Sequence, residues 1–276
     1  MKAKLIRSST QLKLGESPVW LNGVLYYVDI LGGKIHSYNG SVKTLYSDKI
    51  IPFIVPCNDG LVFGTRDSIR HLSLTRMEVE TLFTLQLPEN VRFNDGKCDK
   101  NGFLFAGTMD MNEKMPSGKL YRFGSEEETV LESITISNGT IWDPDIETMY
   151  YIDSPTRKIR VFDYDMNKSA IISERKSFDV SSFAGVPDGM TLDSQGNLYV
   201  AFYGGNGIIK FNRSGEAVKK IFVGTKNVTS CIFGDDDMKT LYITTASDKI
   251  NRGGHLYKFR NDIPGIPSDE FKFLHQ

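Results

Sequence analysis

The chain has 276 residues, of which 40% are hydrophobic, 24% charged and 11% aromatic, and 33 Lys+Arg against 34 Asp+Glu leave a formal net charge of -1. That balance, with no long Lys/Arg run, argues against nucleic acid and anionic membrane surfaces as partners, because binding to either draws on clustered positive charge. No apolar run approaches the roughly 20 residues that span a bilayer, and the opening stretch MKAKLIRSSTQLKL lacks the apolar core of a signal peptide. Cys57, Cys98 and Cys231 are an odd, widely spaced set that suits free thiols in a reducing cytoplasm. His36, His71, His255 and His275 form neither HExxH nor a paired metal spacing, which argues against a His-rich zinc site.

In chain order, a short aromatic and β-branched strand recurs at Leu25–Asp29, Leu61–Thr65, Leu104–Thr108, Met149–Asp153, Leu198–Phe202 and Leu241–Thr245, at start-to-start intervals of 36, 43, 45, 49 and 43 residues. After each, a few turn residues lead to a second strand: 34–38, 68–72, 119–123, 158–162, 207–211 and 254–259. Turn formers stand directly before three of the signature strands, as Asp99-Lys100-Asn101-Gly102, Asp143-Pro144-Asp145 and Asp193-Ser194-Gln195-Gly196-Asn197. No helical period emerges. Repeats of this length, each a small antiparallel sheet, predict an all-β protein: a six-bladed β-propeller of four-stranded antiparallel blades, formed as a single domain over 1–276. The ring needs closing, and the stretch Ala3–Ser8 is expected to pair into the last blade.

In a propeller the innermost strands surround one axis, so equivalent repeat positions meet there. Nine to eleven residues before the signature strands stand Glu16, Asn94, Asn138, Asp188 and Ser230, while the second blade offers only Ile51 and Pro52. Several sit beside glycine, as in Phe93-Asn94-Asp95-Gly96-Lys97, Ser137-Asn138-Gly139-Thr140 and Pro187-Asp188-Gly189-Met190, which reads as a tight turn into the inner strand. Taken singly such pairs are ordinary turn formers. Together, two carboxylates at one axis repel unless a cation or proton neutralises them. Glu16, Asn138 and Asp188 form an all-oxygen set that suits one divalent cation, Ca²⁺, Mg²⁺, Mn²⁺ or Zn²⁺, with coordination positions left open. Strand alternation places Arg92 on the same face as Asn94, although spacing alone equally allows a surface ion pair.

These segments, from Gly15-Glu16-Ser17-Pro18-Val19-Trp20 through Arg92-Phe93-Asn94-Asp95-Gly96, Ala106-Gly107-Thr108-Met109, Ile136-Ser137-Asn138-Gly139, Tyr150-Tyr151-Ile152-Asp153-Ser154 and Pro187-Asp188-Gly189-Met190 to Thr229-Ser230-Cys231, resemble the senescence marker protein (regucalcin), gluconolactonase and luciferin-regenerating enzyme family. The resemblance covers residues 12 to 260. It implies a six-bladed propeller, a divalent metal on Glu16, Asn138 and Asp188, substrate contacts from Arg92 and Asn94, and hydrolysis of sugar lactones. Where lactone-hydrolysing relatives often carry an acidic substrate contact, this chain has Asn112 nearest by alignment, with Glu113 beside it.

The expected activity is therefore metal-dependent opening of a lactone, with Asp188 as general base and the lactone as small-molecule partner. A broad esterase or organophosphate hydrolase, or a non-catalytic calcium-binding propeller, are the alternatives. A monomer or weak homo-oligomer is expected. Two decoys are set aside: Asp163 to Ser169 with Glu174 imitates a calcium loop but has Lys168 where glycine is needed, and Asp235-Asp236-Asp237 reads as a solvated turn.

Overall fold

The recurring strands are mostly apolar because both their faces are covered: every residue of Thr148–Asp153 and of Thr240–Thr245 is buried. The outermost strands have one wet face, and Val42–Ser47 and Val79–Thr84 contain no fully buried residue. A computed structural model describes residues 1–248, 250 and 252–273, and His275 lies outside the described residues.

Six four-stranded antiparallel sheets are arranged as blades. Blade one comprises Gly15–Leu21, Val24–Asp29, Lys34–Tyr38 and Val42–Ser47, and blade two Ile54–Cys57, Gly60–Gly64, Ser68–Ser73 and Val79–Thr84. Blade three runs through Val91–Cys98, Leu104–Asp110, Gly118–Phe123 and Glu127–Ile134, and blade four through Ser137–Asp143, Thr148–Asp153, Lys158–Asp165 and Ala170–Asp179. Blade five is Val186–Leu192, Leu198–Tyr203, Gly207–Phe211 and Ala217–Phe222. Blade six takes Val228–Gly234, Thr240–Thr245 and Tyr257–Arg260 from the end of the chain and Lys4–Leu5 from its beginning.

The ring thus closes through the N-terminal stretch, as expected, with Lys4 opposite Lys258 and Leu5 opposite Tyr257. Only two of the residues 3–8 form the strand, and the last blade's third strand starts at Tyr257 rather than 254. The same stretch also reaches blade five, where Ala3 N donates to Phe222 O and Phe222 N to Met1 O. Among the described residues no helix is long and apolar enough to cross a membrane.

Aromatic pairs seat neighbouring blades on one another: Tyr46 on Phe63, Phe53 on Phe93, Phe105 on Trp142, Tyr199 on Phe233, and Trp20 stacked on Tyr242 at 5.3 Å across the closure. Such pairs contribute about 0.5–1.5 kcal/mol each beyond their area burial. The turns before the signature strands are tied by aspartate: Asp99 Oδ1 accepts from Asn101 N and Phe103 N, and Asp193 Oδ1 from Gln195 N and Asn197 N.

Candidate active site at the channel mouth

In five of the six inner strands the register slips beside the residue picked out by the repeat offset: between Glu16 and Val19, Phe93 and Asp95, Ser137 and Thr140, Pro187 and Met190, and Val228 and Ser230. Ile54–Cys57 in blade two, which has no polar residue at this offset, pairs without a slip. A β-bulge puts an extra residue into one strand and re-aims its side chain. Here the bulges turn polar side chains from five blades toward the axis.

The neighbouring glycines serve a different purpose from the tight turn expected of them. Gly139 and Gly189 have no positive φ. A Cβ on Gly139 would lie 2.7 Å from Asp188 O, and one on Gly189 would lie 2.6 Å from Ser230 Cβ. Glycine is required because adjacent inner strands close up on each other at the bulge.

The chain leading into these strands is held by the aspartates that end the second strands. Asp29 carboxylate oxygens accept from Lys13 N and Leu14 N at 3.0 Å each, just ahead of Glu16. Asp153 repeats this with Thr135 N at 3.2 Å and Ile136 N at 2.9 Å, just ahead of Asn138. Ser17, next to Glu16, is held at a φ of 45°. Its Oγ exchanges hydrogen bonds with the backbone of Ile54 in blade two, which offsets this strained conformation.

Glu16, Arg92, Asn94, Asn138, Ser154 and Asp188 line one cavity of about 280 Å³. Arg92 is 8% exposed, and its Nη1 donates to Phe93 O and Asn94 Oδ1, both at 2.8 Å, so it is an inward-facing group and not a surface ion pair. Asn94 Nδ2 donates to Ser137 O at 2.8 Å and to Asn138 Oδ1 at 3.1 Å. Asn138 Nδ2 donates to Ser154 Oγ at 2.7 Å, and Ser154 Oγ donates to Pro187 O at 2.6 Å, one residue before Asp188. A single directed relay therefore runs from blade three to blade five.

Burial, and after it the charge of Asp95, pushes the Glu16 carboxyl up to about 8, while Arg92 and Lys97 pull in the opposite direction. Asp188 is raised well above the usual carboxylate range by burial, then by Glu16 and Asp95. Asp95 is itself raised by burial, and Lys97 is lowered by burial against the attraction of Asp95. Asp95 and Lys97 are half-buried and line the narrower part of the channel, and Lys97 Nζ donates to Met190 O at 2.9 Å. Burial lowers Arg92 to about 10, which leaves it a cation at neutral pH.

The donors facing the mouth are two carboxylates and an amide oxygen, with no nitrogen or sulfur ligand among Glu16, Asn138 and Asp188. Oxygen donors of this kind fit a hard divalent cation, and the repulsion that favours protonated carboxyls is what such a charge relieves.

Asn112 does not line the cavity; its backbone N–H turns to Asp110 Oδ1 at 3.3 Å. The neighbouring Glu113 does line it, at a φ of 59°, and its charge acts on Arg92. Alignment by position could not tell the two apart, because the side that each faces depends on this left-handed residue. Ser154, Asp95 and Lys97 also lie outside the set chosen by the repeat offset. Their signals were the end of a signature strand for Ser154 and, for the other pair, strand alternation beside Asn94. Ser230 lines the narrower part of the channel. The calcium-loop imitation is a hairpin whose carboxylates are paired, Asp163 with Arg175 and Glu174 with Arg160.

Residues 14–247 match the family model described as SMP-30/Gluconolactonase/LRE-like region. The chain is 34% identical to a Bacillus subtilis (strain 168) protein whose name, sugar lactone lactonase YvrE, is provisional, over 89% of this chain and 88% of that one. It is 33% identical to Xenopus laevis regucalcin over 98% of both chains. A solved luciferin-regenerating enzyme superposes with a TM-score of 0.91 at 29% identity, covering 98% of this chain and 99% of that one.

Proposed function

The chain belongs to the SMP-30/gluconolactonase/LRE-like family, and on that premise we propose that it is a divalent-metal-dependent lactonase that opens hydroxylated five- or six-membered lactones. The observation that carries this reading is the convergence of Glu16, Asn138, Asp188, Arg92 and Asn94 on one cavity. At about 280 Å³ it is at the small end of ligand pockets and has room for a single ring.

Glu16, Asn138 Oδ1 and Asp188 would hold the cation. When bound, it supplies Lewis acidity toward a carbonyl and a lower pKa for water. The Asp188 carboxylate takes a proton from the water that attacks the ring carbonyl carbon. Oxygen develops negative charge as the carbonyl becomes tetrahedral, and the Arg92 guanidinium faces it with Asn94 holding that cation in place. The ring C–O bond then breaks, and the protonated Asp188 returns the proton to the departing ring oxygen. The product is an open-chain hydroxy acid. Glu113 is the carboxylate placed to accept from substrate hydroxyls at the rim. Met109, Ile136 and Val186 also line the cavity and suit the carbon face of the ring.

A titration assay on aldonolactones, unsubstituted alkyl lactones, aryl esters and phosphotriesters tests the substrate class. Turnover confined to the lactones is expected. Faster turnover of aryl esters or phosphotriesters than of any lactone would replace this reading with that of a broad esterase.

A further inference from the structure

Away from the channel mouth, at the other end of the inner strand of blade two, Cys57, Asp59 and His71 offer ligand atoms that all lie within 4.8 Å of one another. Cys57 ends Ile54–Cys57, Asp59 sits in the turn that follows, and His71 lies opposite Val62 on the third strand. The sequence shows only a cysteine and a histidine fourteen residues apart, a spacing that no metal motif would flag; two hairpins bring them together.

Three features distinguish this cluster from a chance meeting of polar groups. His71 is 3% exposed, and its Nε2 has no aligned hydrogen-bond partner although Asp59 Oδ1 is 2.8 Å away. Its Nδ1 lies 3.0 Å from Glu80 Oε1 on the outer strand. A carboxylate on Nδ1 can hold the ring proton there and so present Nε2 to a metal, the arrangement that commonly backs a metal-bound imidazole. The backbone N–H groups of Asp59 and Gly60 donate to the Cys57 sulfur and favour the thiolate, although burial pushes the free thiol up to about 12. At 2.8 Å the imidazole nitrogen and the carboxylate oxygen of Asp59 share a proton when His71 is protonated, and a cation bound between them takes that proton's place.

We propose that Cys57 Sγ, a carboxylate oxygen of Asp59 and His71 Nε2 form a second metal site, for a tetrahedral borderline cation such as Zn²⁺, with water in the fourth position. One sulfur, one nitrogen and one oxygen donor select against Ca²⁺ and Mg²⁺, which the all-oxygen mouth accepts. Its role is structural. The chain after blade six crosses the site, with Phe271 N donating to Pro56 O at 2.8 Å and the Phe273 ring edge-on to His71 at 5.2 Å. A bound ion fixes the surface on which that segment rests.

The test is Co²⁺ titration of the metal-stripped full chain. The channel donors contain no sulfur, so a thiolate-to-cobalt charge-transfer band reports only a cysteine site. One equivalent of Co²⁺ should produce that band together with tetrahedral d–d absorption, and Zn²⁺ should displace it. Cys57→Ser should abolish the band. Glu80→Gln, at an exposed side chain, should weaken Co²⁺ binding by about 10- to 100-fold through His71 without disturbing the fold. Folded wild-type chain that shows no sulfur band, a band that persists in Cys57→Ser, or unchanged affinity in Glu80→Gln would overturn the proposal.

Discussion

Ser154 gives its one hydroxyl proton to Pro187 O at 2.6 Å, so toward Asn138 Nδ2, 2.7 Å away, it can only accept. That fixes which way the Asn138 amide is turned: Nδ2 points to Ser154, and Oδ1 points away from it, accepting from Asn94 Nδ2 at 3.1 Å. Ser154→Ala removes the acceptor and frees the amide to turn. The expected result is a metal affinity lowered about 10- to 100-fold, as for other residues that orient a ligand, with the loss read by calorimetric titration. Unchanged affinity would show that Asn138 does not need this partner.

The carboxylates set the pH dependence of the metal-free protein. Glu16 rises from 4.5 to about 8 on folding. A carboxyl raised by folding binds more protons folded than unfolded, so its contribution to stability is complete below about pH 4.5 and is lost as the pH climbs through about 8. Asp188 moves in the same direction. The Tm of chelator-treated protein should therefore fall between about pH 5 and about pH 8, and added divalent cation should restore most of it at the upper end. A metal-free Tm that rises over this interval would contradict the burial described for these groups.

Arg92 reaches the reacting region without belonging to the ligand set. Arg92→Met should lower kcat/KM by about 100- to 1,000-fold, the typical cost of one lost oxyanion contact. Metal affinity should be retained, because Asn94 keeps its bonds to Ser137 O and Asn138 Oδ1. Steady-state kinetics beside a binding isotherm separate the two effects.

Deleting residues 1–9 removes Lys4–Leu5 from the last blade and the buried Ala3 and Ile6 side chains. Ile6 alone corresponds to about 1.5–3 kcal/mol of burial, and Tyr257–Arg260 becomes an unpaired edge. Thermal melts should show a clear drop in Tm. An unchanged Tm would mean that the ring does not depend on this closure.

The fold was legible because the strands enclosed between neighbouring blades are mostly apolar, so Met149–Asp153 and Leu241–Thr245 stand out without alignment. Val42–Ser47 and Ala170–Asp179 carry a mixed, half-exposed pattern that no period marks. Within the site, the repeat offset located Glu16, Asn94, Asn138 and Asp188 because bulges occur at the same place in five of the six inner strands. Ser154 escaped since it acts from the end of a second strand through hydrogen bonds, and Glu113 since its direction follows from a left-handed backbone. The Cys57 and His71 cluster was invisible in sequence because its members meet only across strands.

A pH-stat assay of metal-stripped protein on gluconolactone and smaller sugar lactones, with Ca²⁺, Mg²⁺, Mn²⁺ and Zn²⁺ restored one at a time and Glu16→Gln run in parallel, asks whether a cation on Glu16, Asn138 and Asp188 supports lactone opening. At least one ion should restore hydrolysis in the wild type and not in Glu16→Gln. Full hydrolysis without any ion, or equal rates for wild type and Glu16→Gln with the ion present, would contradict that role for the cation.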